Sequence, residues 1–210
     1  MKHRLIGIVA LASFAVVLSF WMGSSSAIAS GPDDGKYSYV GSKSCKKCHI
    51  KIYKSWEKTE GAKGFDALRV GKAAEAKTKY GLDPAKDYTK DESCLKCHTT
   101  GHGCEGGYAI PDEADKKAVK RAGTLLSHGC ESCHGPGSEY VKLFKEIQKS
   151  KRKYKAEELY AVGLTKIDAS ACTNCHNDKS PTYDDTKKFD FGTYKDKDMH
   201  EHEELKQREE

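Results

Sequence analysis

Residues 128–137 read HGCESCHGPG: two cysteines three apart, a histidine directly after the second, and another histidine two positions before the first. A CxxC pair can be a zinc hook, a redox dithiol, a disulfide or a haem anchor, and each would lead to a different fold. Repetition decides between them. CKKCH fills Cys45–His49, CLKCH Cys94–His98, CESCH Cys130–His134 and CTNCH Cys172–His176. Eight of the nine cysteines and four of the nine histidines thus fall into one five-residue pattern.

CxxCH is the attachment signature of c-type haem. In a helical turn, positions i, i+3 and i+4 share a face, so two thiols can bond to the porphyrin edge while the histidine turns its ring to the iron. Zinc hooks do not require a histidine after every second cysteine, and disulfides would leave four histidines without a role. Four covalently bound c-type haems are therefore expected. Their anchors are Cys45 and Cys48, Cys94 and Cys97, Cys130 and Cys133, Cys172 and Cys175, and their proximal ligands are His49, His98, His134 and His176.

Composition agrees. With 37% hydrophobic residues, 32% charged residues and a mean hydropathy of −0.73, the 210-residue chain is poor in core material. Such a chain needs an outside source of core, and four macrocycles supply one. The expected fold is mainly α with long loops and little or no β, organised around the haems, in one domain over 30–210. The haem-free chain should be largely unfolded.

The first residues read as an address. MKHR supplies positive charge, LIGIVALASFAVVLSFWMG is apolar, and AIA ending at Ala29 is a small-residue cleavage site. A signal peptide over 1–29 is expected to be removed. The alternative is an uncleaved anchor, since the apolar run is nearly long enough to span a bilayer. Either way the remainder works outside the cytoplasm, in the periplasm or beyond it, with peripheral membrane association at most. A formal charge of +5, of which Lys2 and Arg4 belong to the leader, is no argument for a nucleic-acid partner.

Apart from His3 and the motif histidines, four remain: His102, His128, His200 and His202. They match four irons, so they are the candidates for the distal side, with bis-histidine ligation as the simplest expectation. His200 and His202 stand two apart and would point to different sides of a helix, so one of the pair is expected to ligate. Met199 is a further possible axial ligand. His128 lies only six positions before His134, badly placed to reach the far face of the same haem. It is expected to reach the iron of a different one. A haem left without a distal histidine would be five-coordinate.

GLDPAKDYTKDESCLKCHTTGHG (81–103), GGY (106–108), GCESCHGPG (129–137) and MHEH (199–202) together resemble the tetrahaem cytochrome c-554 family, known from hydroxylamine oxidation. The likeness runs in register from Cys45 to about His202. It implies a mainly α-helical, soluble periplasmic electron carrier whose haems pack in close pairs, most bis-histidine and one with an open face. Two departures stand out. The family follows its first motif with Trp, then Thr or Ser, then a distal histidine before Ala; here WEKTEGAKG keeps Trp56 and Thr59 but has Gly61 at the histidine. The family's distal histidine after the third motif is also missing, since GPGSEYVKLFKEIQKSK contains none. His102 and His128 stand where the family would not place ligands, so the distal set is rewired, or a neighbouring subunit fills a vacancy.

Elsewhere, 138–164 reads as helix with Val141, Phe144 and Ile147 at helical spacing, and its KSKRKYK run as a solvated face that could alternatively dock an acidic partner. The segment 180–194 reads as an irregular loop or hairpin, the tail DKDMHEHEELKQREE as a charged helix, and Cys104 as a free buried thiol, with an intermolecular disulfide or a haem ligand as its alternatives. The functional expectation is an electron carrier, not an enzyme, that serves redox partner proteins. Two other classes stay open: a haem enzyme reducing a small nitrogen species such as nitric oxide, and a self-assembling subunit of an extracellular conduit.

Overall fold

The cysteine motifs impose local helix, and loops join them. In the computed structural model, which describes residues 36–195, 199–205 and 207–209, each motif is one helical turn. The His49 amide donates to the Cys45 carbonyl at 3.0 Å, and the His176 amide does the same to Cys172 at 3.0 Å. The second and third motifs lie inside short helices. The helices run α1 (Ser42–Cys45), α2 (Ile50–Trp56), α3 (Glu60–Lys63), α4 (Ala74–Lys79), α5 (Glu92–His98), α6 (Lys116–Gly123), α7 (Cys130–His134), α8 (Ser138–Ser150), α9 (Ala156–Tyr160), α10 (Ala169–Thr173) and α11 (Phe191–Tyr194). Two 3-10 turns, Gly64–Leu68 and Asp185–Lys187, and a two-residue parallel pairing of β1 (Tyr154–Lys155) with β2 (Arg208–Glu209) complete the described elements. The expected helical, loop-rich, nearly strand-free architecture is what the chain adopts.

Helix starts are set by acidic caps. Asp91, Asp115, Asp168 and Asp190 each accept an amide hydrogen bond in the first turn of α5, α6, α10 and α11. α7 stops at His134 because Gly135 follows at φ 79°, where a Cβ would come within 2.5 Å of the Thr165 hydroxyl.

The apolar core is small and split. One cluster gathers Tyr39, Phe65, Leu68, Tyr88, Leu95, Tyr108 and Leu125 around the second motif, with Cys104 packed against it as a partly buried free thiol. The other joins Phe144 and Ile147 of α8 to Tyr154 and Leu159, beside the first motif. Neither has the size of a core expected to hold this length of chain.

Two expectations need correction. Helix does not continue over 138–164: α8 ends where Lys151 enters the left-handed region at φ 56°, and β1 and α9 follow. The tail is not helical over Met199–Leu205. It runs across α2, where the Glu201 amide donates to the Ser55 hydroxyl at 2.8 Å and Glu203 pairs with Lys51 at 3.2 Å. The Tyr154 amide then donates to the Gln207 carbonyl at 3.0 Å. These long-range bonds replace the i→i−4 bonds of a helix and hold the tail extended. Segment 180–194 is the irregular loop of the two forms expected, interrupted by a 3-10 turn and closed by α11, and not a hairpin. The leader proposed over 1–29 lies outside the described residues. Among those described, no helix is long and apolar enough to cross a membrane.

Candidate haem sites

The motifs meet through their thiols in an order that is not the order of the sequence. Cys45 of the first motif and Cys130 of the third interact directly, and each shifts the other's ionisation, Cys45 upward and Cys130 down to about 7. Cys97 of the second and Cys175 of the fourth form the same kind of pair, with Cys97 lowered to about 7. Cys133 of the third lies near enough to Cys172 of the fourth to raise its own ionisation further, on top of burial. α1 packs on α7, and α7 on α10. The motifs are thus strung first, third, fourth, second. No three His, Cys, Asp or Glu side chains among the described residues converge as a zinc hook would require.

Two residues that motif reading leaves blank fix this arrangement. Glu131, one of the free positions in CESCH, is buried and accepts amide hydrogen bonds from Val40 at 2.8 Å, Gly41 at 2.6 Å and Gly137 at 2.7 Å. It clamps the strand entering the first motif onto the third. Burial still outweighs the three donors and holds its carboxyl above the usual range. Gly129 sits where a Cβ would come within 2.6 Å of the Ser42 hydroxyl and 2.7 Å of the Thr100 hydroxyl. Those hydroxyls accept from the Cys130 and Gly129 amides. The glycine in GCESCH was the only hint of that close approach.

Burial favours the neutral form of three proximal imidazoles, His49, His98 and His134, the form that offers a lone pair to a metal. His134 is pushed down to about 4, and burial also lowers His49 and His98. His98 is oriented by its Nδ1, 2.6 Å from the Gly64 carbonyl, which leaves Nε2 free. His176 stacks on Phe189 of the 180–194 loop, with centroids 4.7 Å apart.

The four remaining histidines part company. His200 faces His134 with ring centroids 6.2 Å apart and planes 25° apart. Two imidazoles sharing one metal through bonds of about 2 Å each have centroids about 6 Å apart. The His200 Nδ1 meets the Glu201 carbonyl at 2.9 Å, so its Nε2 is the free nitrogen. His202 is exposed beside His200, at 5.3 Å. His102 is held elsewhere: its Nε2 meets Glu92 at 2.6 Å and its Nδ1 the Tyr108 carbonyl at 3.3 Å, so both nitrogens are engaged.

His128 lies 5.8 Å from His98, but not across a shared metal. The Ser127 amide donates to the His98 carbonyl at 3.0 Å, so the two side chains leave adjoining backbone from one side. Ser127 takes φ 66°, a costly conformation for a residue with a Cβ, and this turns His128 toward Gly61. The His128 Nδ1 and its amide both reach the Gly61 carbonyl, at 3.2 and 3.1 Å, and Trp56 Nε1 donates to the His128 carbonyl at 2.9 Å. A Cβ on Gly61 would touch the His128 side chain at 3.8 Å. The His128 side chain thus occupies the space beside Gly61 and Gly64, where a Cβ on Gly64 would come within 2.9 Å of it. Burial lowers the His128 imidazole, and His98 and then His176 are near enough to lower it further.

Comparison with known proteins places the chain in a family. The family described as "Cytochrome c554 and c-prime" matches residues 44–135. A curated cytochrome c-554 from Nitrosomonas europaea is 38% identical over 142 residues, which cover 66% of this chain and 57% of that protein. The chain thus spans little more than half the length of that relative. The solved structure of the reduced state of cytochrome c554 from Nitrosomonas europaea superimposes with a TM-score of 0.69 at 34% identity, covering 83% of this chain and 90% of the solved one. Four repeated attachment motifs, a helical fold and this likeness lead to one conclusion: the chain belongs to the cytochrome c554 family and is a multihaem c-type cytochrome.

Proposed function

We propose that the chain is an exported tetrahaem electron carrier that works in the periplasm between redox partner proteins. The observation that carries this reading is the contact order of the motifs. Thiol meets thiol from the first motif to the third and from the second to the fourth, and the third lies beside the fourth. Haems anchored on those thiols would form one series in that order. When bound, they supply one-electron storage and transfer. The chain's own residues fix spacing through the thioethers, exclude water around the third motif, and present neutral imidazoles to the irons.

Two distal positions follow from the same reading. His200 is the partner of His134 on the third haem, supported by the 6.2 Å ring separation. His128 serves the fourth haem opposite His176, supported by its place in the space that Gly61 leaves and by the nearness of His176. His102, bound at both nitrogens, is structural. His98 then has no distal histidine, and the second haem is the open, five-coordinate one. That open face supports a second reading, binding and reduction of a small nitrogen species there.

Pyridine haemochrome analysis of the purified protein should return four covalent haems per chain; fewer would overturn the tetrahaem reading. Stopped-flow mixing with a reduced donor should reduce the haems without added substrate. His200→Ala should remove one low-spin ferric signal, and an unchanged spectrum would refute that pairing. Fractionation of the native cells should place the protein outside the cytoplasm with residues 1–29 removed.

A further inference from the structure

The pairings proposed above leave the first haem without a distal histidine, yet the direction facing His49 is occupied. His49 Nε2 lies 2.9 Å from the hydroxyl of Tyr140 on α8. The ring centroids are 6.4 Å apart and the planes within 18°, a separation reached only when the two rings meet tip to tip in nearly one plane. Tyr140 is thus aimed at His49 along the direction in which an imidazole presents its lone pair. The same cavity is lined by Cys45, Cys48, His49, Tyr140, Val141 and Phe144. The thiols that would hold the porphyrin edge and the tyrosine therefore border one space. Tyr154, packed edge-on against Phe144 at 5.7 Å, buries a hydroxyl that has no partner among the described residues, a sign that a polar group belongs nearby.

We propose that the phenolic oxygen of Tyr140 takes the sixth position on the iron of the first haem, opposite His49, in place of a distal histidine. This rests on the tetrahaem reading above. Distances decide between direct coordination and an open pocket. Imidazole nitrogen and oxygen ligands each sit about 2 Å from a transition metal, so an iron between them needs the two atoms about 4 Å apart. From 2.9 Å that asks for a retreat of roughly 1 Å, within reach of a side-chain adjustment. Seating a water or diatomic ligand between iron and phenol would need a retreat several times larger, against Phe144 and Tyr154. Tyrosine is an established haem ligand type. As the iron–oxygen bond forms, the phenol O–H bond breaks and its proton leaves to solvent; no electron moves. An anionic oxygen favours ferric over ferrous iron, so this haem, at one end of the motif order, would be the hardest to reduce.

The test uses the purified, fully haem-loaded, oxidised protein. Resonance Raman of the wild type should show tyrosinate modes enhanced through a phenolate-to-iron transition, and EPR should count two low-spin and two high-spin haems. Tyr140→Phe should abolish the tyrosinate modes. Tyr140→His should convert one high-spin haem to low-spin, giving three and one. Pyridine haemochrome confirms four haems in each variant. A wild-type spectrum without tyrosinate modes while four haems are present overturns this proposal alone, as does Tyr140→Phe leaving the modes in place. A wild-type chain with no haem on Cys45 and Cys48 overturns both this proposal and the tetrahaem reading. The wild-type spectrum decides the matter even where neither variant retains its haems.

Discussion

Glu131→Ala should be among the most destabilising single changes in this protein. The carboxylate accepts from the Val40, Gly41 and Gly137 amides, and the bonds from Gly41 and Gly137 are buried. An unsatisfied buried donor costs about 1–3 kcal/mol, so the two buried amides alone lose about 2–6 kcal/mol. The amide of Val40 can recover by meeting water. Against this stands the relief of not burying a carboxylate, a real gain because burial dominates its ionisation. The net expected loss is about 3 kcal/mol, or roughly 6–12 °C in melting midpoint for a chain of this size. Glu131→Gln keeps one accepting oxygen but turns an NH2 group toward an amide donor, and should lose about half as much. Urea unfolding of the haem-loaded proteins, followed by far-UV circular dichroism, measures both. If Glu131→Ala falls within about 0.5 kcal/mol of wild type, the clamp between the first and third motifs is not a determinant of stability and the reasoning fails.

Gly129→Ala should cost about 1–3 kcal/mol, because its Cβ would press on the Ser42 and Thr100 hydroxyls at 2.6 and 2.7 Å; the same urea titration checks it. Trp56→Phe removes the indole donor to the His128 carbonyl and should cost about 1 kcal/mol while shifting the EPR signal of one low-spin haem, the fourth. Lys151→Gly relieves a left-handed residue at the end of α8 and should stabilise by about 0.5 kcal/mol, read as a higher denaturation midpoint. Replacing all eight motif cysteines by serine should leave a chain without cooperative unfolding and open to proteolysis, since the two apolar clusters are too small to fold it alone.

The local form of the four motifs was legible because the pattern is local: five consecutive residues carry it, and one helical turn realises it. The surroundings of Gly61 were half legible. The glycine itself could be seen, but not that His128 packs beside it, since Ser127 at φ 66° and the bond to the His98 carbonyl bring residues 98 and 128 together. Tyr140 carried no signal among eleven tyrosines; only its line of approach to His49 distinguishes it. Glu131 was hidden for a different reason. The motif leaves its middle positions free, so a residue there that is essential for packing looks like filler. The tail was misread because its charge pattern fits a helix, while the bonds that straighten it come from Ser55 and Tyr154, far away in sequence.

The contact order of the motifs also limits how such a protein can grow. In a solenoid, neighbours in sequence are neighbours in space, so copying one repeat lengthens the array by one unit. Here Cys45 meets Cys130 and Cys97 meets Cys175, so adjacent links are supplied by distant parts of the chain. A tandem copy of any single motif would have no link to join. A longer series of this kind is reached by abutting whole copies of the domain end to end, and a cut between the second and third motifs separates both pairs at once.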